Sequence, residues 1–378
     1  MSAAAEDDPF AWLVRTDQAL ATRNYEGVFV HEHAGESETL RVIHRVGGDG
    51  GVYERLLSMD GSGRECIRKG SQLTCYLPDQ RTVLVEKSND AGALLASLPK
   101  METVSAGIYQ VGELQKTRVS GRAAHMIAVT PMDQMRYGYR VWIDDSTAMP
   151  LKTQLRDAKG QIIEQIVFTD LRLPAHIADS ELQPSVDAHN YRWVQHLADP
   201  ADARALSVSW EASLLPPGFH MTVDARQVLR SGPVEHLVFS DGLASVSVFV
   251  DIGRESAAAP GTEDAATIGS SSAYSTVVQG YRVTAVGEVP PDTVRAIAQS
   301  IRAAPPTPST STSLLGGLGS PLDPSHRDDP GTSIFDSPSG ARNPDTRFEA
   351  LPSTGARVGL GPGPAGFGGP ATAGPGRH

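Results

Sequence analysis

The sequence is poor in the features that carry most recognisable chemistry. It has two cysteines in 378 residues, which excludes a small disulfide scaffold. No apolar run reaches the roughly 18–20 residues that a membrane-spanning helix needs. No stretch is strongly basic, and the formal net charge is −11. Bulk charge therefore excludes unspecific nucleic-acid binding. The chain has no collagen period, and CxxC, HExxH and GxSxG are absent from it.

Proline and glycine are present but unevenly spread. Of 27 prolines and 37 glycines, 13 and 14 lie in residues 303–378. A chain that dense in Pro and Gly without a period rarely packs, so 303–378 reads as a disordered, Pro/Gly/Ser-rich tail. Residues 1–8 form a short N-terminal remnant. From Pro9 to Ala21 apolar residues recur at helical spacing, with Asp8 placed to cap and Pro9 in the first turn. The period then shortens to two, and turn residues separate strand after strand. The expected strands are Tyr25–His33, Thr39–Val46, Val52–Met59, Arg64–Arg68, Gln72–Leu77, Thr82–Lys87, Ile108–Leu114, Ala123–Thr130, Arg136–Ile143, Leu151–Arg156 and Ile162–Leu171. Ala91–Leu98 reads as a short helix or apolar loop. A sheet of that size curls, and a curled sheet offers an apolar concavity to a lipid-like ligand.

The strand pattern is lost over 173–205, which reads as a connector. A second, smaller meander follows over 206–302. Its expected strands are Ala205–Ala212, Phe219–Leu229, Val234–Ser240, Leu243–Ile252, Tyr274–Val278 and Tyr281–Val286. Gly253–Ser272 reads as a polar loop, and a helix begins at Pro290-Pro291-Asp292. The fold class is α+β: a large curved antiparallel half-barrel with helices over 9–172, then a small antiparallel sheet-and-helix domain.

Cys66 and Cys75 flank Gly70-Ser71. A two-residue type II′ turn there sets Lys69 opposite Gln72 and Cys66 opposite Cys75. That pair falls on a non-hydrogen-bonded position, where side chains approach most closely. A disulfide fits this geometry if the compartment is oxidising. Two reduced thiols on one face of a hairpin fit the same spacing.

The remaining chemical signals are sparse. Gly361 to Gly366 matches GxGxxG but lies in the tail, after no strand, and does not indicate a dinucleotide. His31 and His33 share one face of a strand. A zinc site needs a third and usually a fourth ligand, and no Cys/His cluster follows, so they read as solvated histidines with no metal. Trp12, Trp142 and Trp210 read as core, and Trp193 as either core or interface. Met59, Met101, Met126, Met132 and Met135 suit core filling or an adaptable pocket. No catalytic residues and no cofactor are indicated.

Several longer segments carry a resemblance. LLSMDGSGRECIRKG at 56–70 and YRVWIDDSTAMPLKTQLRDAKGQIIEQIVFTDL at 139–171 resemble the first domain of the MucB/RseB family. SWEASLLPPGF at 209–219, VFSDGLASVSVFV at 238–250 and VTAVGEVPPDTVRAIAQSI at 283–301 resemble its second domain, in the same order. The resemblance implies a lipoprotein-carrier-like first domain. It implies a periplasmic negative regulator of an envelope-stress sigma factor of the sigma-E type. Family members bind the periplasmic region of a membrane-spanning anti-sigma factor and shield it from proteolysis. Amphiphiles such as lipopolysaccharide are thought to release them. The expected place is the periplasm, although MSAAAEDDPF has no basic or apolar signal region. The 303–378 tail has no family counterpart.

Two domains and a connector suit a binding protein in which ligand and partner prefer different arrangements. Homo-oligomerisation, the inducing ligand and the contact residues are not legible in the sequence. Rival readings are a periplasmic lipid or lipoprotein carrier, and a hydrolase for which no motif speaks.

Overall fold

A computed structural model describes residues 8–48, 50–87, 104–105, 107–196, 209–229, 232–253 and 263–304. The Ala91–Leu98 segment, Met101, and residues 305–378 of the tail with its GxGxxG lie outside the described residues, while Ala303, read as the start of the tail, ends a strand.

Helix α1 (Pro9–Thr22) starts where the Asp8 carboxylate accepts the Phe10 N–H at 3.0 Å, with Pro9 in its first turn. Twelve strands follow in one open sheet: β1 (Tyr25–His33), β2 (Glu36–Val46), β3 (Val52–Ser58), β4 (Glu65–Lys69), β5 (Gln72–Leu77), β6 (Thr82–Lys87), β7 (Tyr109–Val119), β8 (Arg122–Pro131), β9 (Gly138–Asp144), β10 (Pro150–Arg156), β11 (Ile162–Arg172) and β12 (Arg192–His196). Their order is β12-β6-β5-β4-β3-β2-β1-β11-β10-β9-β8-β7. Every pairing is antiparallel except that of β12, which runs parallel to β6. Hairpins make the antiparallel pairs, apart from β1, which pairs antiparallel with the distant β11.

Over β2–β6 both faces of this sheet are covered. Odd positions of β1 point inward, and Tyr25, Phe29, Leu40, Leu56, Ile166 and Phe168 form one buried cluster there. Trp12 and Leu13 of α1 extend it across Ile127, Val129, Val141 and Ile143. The opposite face of β2–β6 packs under residues 177–191. Ile177 and Leu182 lie on Ile43, while Val186, Ala188 and Tyr191 lie on Ile67, Tyr76 and Val83. Arg55 donates to the Glu181 carbonyl at 3.1 Å, and the Ser185 N–H donates to Glu65 at 2.7 Å. The segment read as a connector thus lies along the first sheet, and it contains a strand, β12, that the sequence did not reveal.

The second sheet holds β14 (His220–Leu229), β15 (Gly232–Ser240), β16 (Ser245–Asp251), β17 (Asp264–Ile268), β18 (Ser271–Val278) and β19 (Tyr281–Gly287), in the order β14-β15-β16-β19-β18-β17. The short pair β13 (Trp210–Ala212) and β20 (Ile301–Ala303) flanks helix α2 (Pro291–Ser300). Val294, Ile297 and Ala298 of α2 pack with Trp210, Leu237, Phe239, Val246 and Val248. Each buried Val, Ile or Leu among them contributes about 1.5–3 kcal/mol. The polar loop expected over Gly253–Ser272 is corrected in part, because Asp264–Ile268 is a strand and β18 begins at Ser271.

Cys66 and Cys75 face each other in the β4–β5 ladder, with Lys69 opposite Gln72. Gly70 has φ +58° and Ser71 does not enter positive φ, the pattern of a type II′ turn. The two cysteines are disulfide-bonded, with Cα atoms 4.1 Å apart. Trp12 and Trp210 are core residues, Trp142 is half-buried, and Trp193 is 53% exposed. Met126 is buried, whereas Met59 and Met132 are exposed.

Candidate functional site: the seam between the sheets and the bare strand edges

Among the described residues two groups of contacts join the sheets, and each is built from residues far apart in sequence. In the first, the loop before β9 carries Arg136 into the turn between β15 and β16. Arg136 and Asp241 both have fully buried side chains and are hydrogen-bonded to each other. Arg136 also donates to Asp133 at 2.9 Å and to the Pro217 carbonyl at 2.6 Å. Asp241 accepts the Tyr109 hydroxyl at 2.9 Å and the N–H groups of Leu243 and Ala244 at 2.9 and 2.7 Å. Burial first, and then the Asp241 charge, pushes the Tyr109 hydroxyl well above its ordinary pKa, so it stays a donor. Every strong polar atom of the pair is satisfied, as a buried charge requires. Around it, Leu243 of the second unit packs with Trp12, Leu13 and Tyr109 of the first. Thr293 of α2 donates to the Met135 carbonyl at 2.7 Å.

In the second contact, the turn between β17 and β18 lies over the end of β1. His31 and His33 are on the inward face, and the β1–β11 register sets Glu164 opposite His33. His31 Nε2 is 2.9 Å from Glu164, and His33 Nδ1 is 3.6 Å from it. The Ser270 hydroxyl donates to Glu164 at 3.0 Å from the other sheet. Solvated histidines were expected here. Instead His31 is buried and His33 largely so, because β1 continues its inward stripe past Phe29 and the β17–β18 turn covers the end. Burial alone pushes the Glu164 carboxyl up. The imidazoles of His31 and His33 reverse this and hold it well below the ordinary carboxylate range. The Glu164 carboxylate in turn raises His33 above the ordinary imidazole value, against burial, with Glu288 and Glu36 adding to it.

The inward face is not uniformly apolar. His44, Glu54 and Arg68 are buried beside Tyr25, whose ring stacks on His44 at 4.4 Å. His44 and Glu54 are 2.8 Å apart. A recess of about 470 Å³ opens where β2 meets the chain after β11, and Asn24, Arg45, Tyr53 and His176 line it. Its lining is mostly polar.

Among the described residues β7 and β12 end the first sheet, and β14 and β17 end the second, with no further strand paired to them. On β14, Met221 and Val223 are exposed, on either side of a bulge at Thr222. No helix among the described residues is long and apolar enough to cross a membrane.

Two sheets clasped through a buried seam define a two-unit, β-rich class of protein. The MucB/RseB N-terminal domain model matches residues 8–186, and the MucB/RseB C-terminal domain model matches residues 204–302. The chain belongs to the MucB/RseB family. It is 34% identical over 303 residues to the sigma factor AlgU regulatory protein MucB of Pseudomonas aeruginosa, covering 78% of this chain and 91% of that one. It is 27% identical over 300 residues to the sigma-E factor regulatory protein RseB of Escherichia coli, covering 77% and 90%. Among solved structures it is similar to the Pseudomonas aeruginosa MucA/MucB complex. The TM-score is 0.60 with 32% identity, over 80% of this chain and 99% of that one.

Proposed function

We propose that this chain is a periplasmic regulator that binds the periplasmic region of a membrane-spanning anti-sigma factor. Binding shields that factor from regulated proteolysis and so restrains an envelope-stress sigma factor. The observation that carries the proposal is the full-length match to a relative solved as MucB in complex with MucA(peri), with a TM-score of 0.60 and 99% of that chain covered. The Cys66–Cys75 disulfide supports an oxidising compartment such as the periplasm.

The second unit, with residues 173–205, is the proposed partner surface. An extended peptide adds to a bare sheet edge through main-chain hydrogen bonds, and alternate side chains give specificity. The β14 edge suits this, with Met221 and Val223 exposed beside it. An amphiphile such as lipopolysaccharide is the proposed releasing ligand, acting through the first unit.

Capture of the periplasmic segment of the cognate anti-sigma factor by the full chain tests the main reading. Competition by an acyl-chain probe tests the release step. Transfer of labelled lipid to acceptor vesicles without peptide capture would instead mark a carrier.

A further inference from the structure

We propose that His31, His33 and Glu164 form a binding site for a divalent first-row transition metal of the zinc class, in the seam between the two sheets. This is independent of the partner reading.

The strand period sets the two imidazoles on one face, two residues apart. The neighbouring strand then supplies the third ligand, Glu164, directly across from His33. One ligand atom from each of the three lies within 4.8 Å of the others, the group among the described residues with this property. His31 Nε2 lies 2.9 Å from one Glu164 oxygen and His33 Nδ1 lies 3.6 Å from the other. The carboxylate thus sits between the two imidazoles, and an ion bound by all three at about 2.0–2.1 Å would draw them inward by side-chain rotation.

Three further observations favour a metal over a plain hydrogen-bonded cluster. First, His33 Nδ1 is buried and makes no hydrogen bond, since 3.6 Å is too long for one. A buried, unsatisfied ring nitrogen is costly, and a metal ion would satisfy it. Second, the donor set is two imidazoles and one carboxylate. That set suits zinc, copper or nickel better than magnesium or calcium, which prefer oxygen alone. Third, the ligands have outer support. Ser270 donates to the second Glu164 oxygen at 3.0 Å, fixing the carboxylate as outer partners do in metal sites. Gly269 stands so close that a Cβ there would lie 2.3 Å from His33 Cε1, and its φ is +59°. The turn therefore sits directly on the imidazole and screens it from solvent. A fourth position is left to water.

Because Ser270 and Gly269 belong to the second sheet, a bound ion would hold the two sheets in this arrangement. Its binding would raise the unfolding temperature by mass action.

The test uses the full chain without an affinity tag, stripped with chelator and then dialysed. Zinc titration in competition with a chromophoric chelator gives stoichiometry and affinity, and cobalt substitution gives the visible spectrum of the site. The expected result is one equivalent of zinc with a Kd of about 1 μM or tighter, and tetrahedral cobalt bands between 500 and 700 nm (order-of-magnitude window). Ser270→Ala should weaken binding about 10-fold. Glu164→Gln keeps the volume and an acceptor for Ser270, so it folds, and it should lose at least about 10-fold in affinity and the cobalt bands. His31→Gln with His33→Gln should abolish the stoichiometric equivalent. Absence of stoichiometric binding by the unmutated chain would overturn the proposal. So would binding that is unchanged in Glu164→Gln and in the double variant.

Discussion

The buried guanidinium of Arg136 donates to the buried carboxylate of Asp241 across the boundary between the two sheets. The contact turns two sheets joined by one chain into a clasped pair. The hinge suggested by a long connector is therefore opposed by a fully desolvated, fully bonded charge pair, and any opening of the seam must expose or strand it.

Asp241→Asn should lower global stability by about 3 kcal/mol, because it leaves Arg136 a buried cation with only Asp133 as its counter-charge. Urea unfolding followed by tryptophan fluorescence measures this. A loss below about 0.5 kcal/mol would mean the seam is solvated in solution.

Asp144 gives stability a definite pH dependence. Burial pushes its carboxyl up, but the hydrogen bonds from Arg122, Ser146 and Thr147 outweigh this and hold it well below the usual range. A depressed carboxylate contributes stability above its unfolded pKa of about 3.9 and loses it as pH falls towards the folded value. The difference in unfolding midpoint between the unmutated chain and Asp144→Asn should thus be largest near neutrality. It should shrink as the pH drops from about 5 to about 3.

The Cys66–Cys75 bond closes a loop with a sequence separation of 9 between strands β4 and β5. Its removal by Cys66→Ser with Cys75→Ser should cost roughly 2–3 kcal/mol. Both cysteines should appear as one cystine in non-reducing mass spectrometry of protein secreted to an oxidising compartment. Free thiols there would contradict the pairing.

Gly27 sits where β1 bends against β11, with the ladder shifting register between Val28 and Phe29. A Cβ at Gly27 would meet the Asp170 carbonyl at 2.6 Å and the Phe168 ring at 2.9 Å. Gly27→Ala should therefore lose about 2 kcal/mol through overpacking. A midpoint equal to that of the unmutated chain would show that the β1–β11 junction is looser than described.

The hairpin strands were legible because alternation and turn residues agree locally: Tyr25–His33 and Gln72–Leu77 are strands with the bounds expected. β12 was not, because its partner β6 lies more than a hundred residues away and runs parallel, so no turn announces it. β17 was missed for a different reason. As an edge strand, DAATI with every residue exposed, it shows no alternation to read. The site residues divide in the same way. His31 and His33 are visible as a pair, but Glu164 reaches them only through the β1–β11 register, and Ser270 only through contact between the sheets. Sequence separation hides Arg136 and Asp241 too, 105 residues apart. Family resemblance, by contrast, is carried by contiguous runs, and both domain models match where those runs lie.

The most direct test of the central reading is the binding of a labelled periplasmic segment of the cognate anti-sigma factor to the full chain, followed by fluorescence anisotropy. The account predicts saturable binding with a Kd of about 1 μM or tighter. It also predicts a loss of at least about 10-fold when the β14 edge carries Met221→Asp and Val223→Asp. No binding of the segment up to about 100 μM would contradict it.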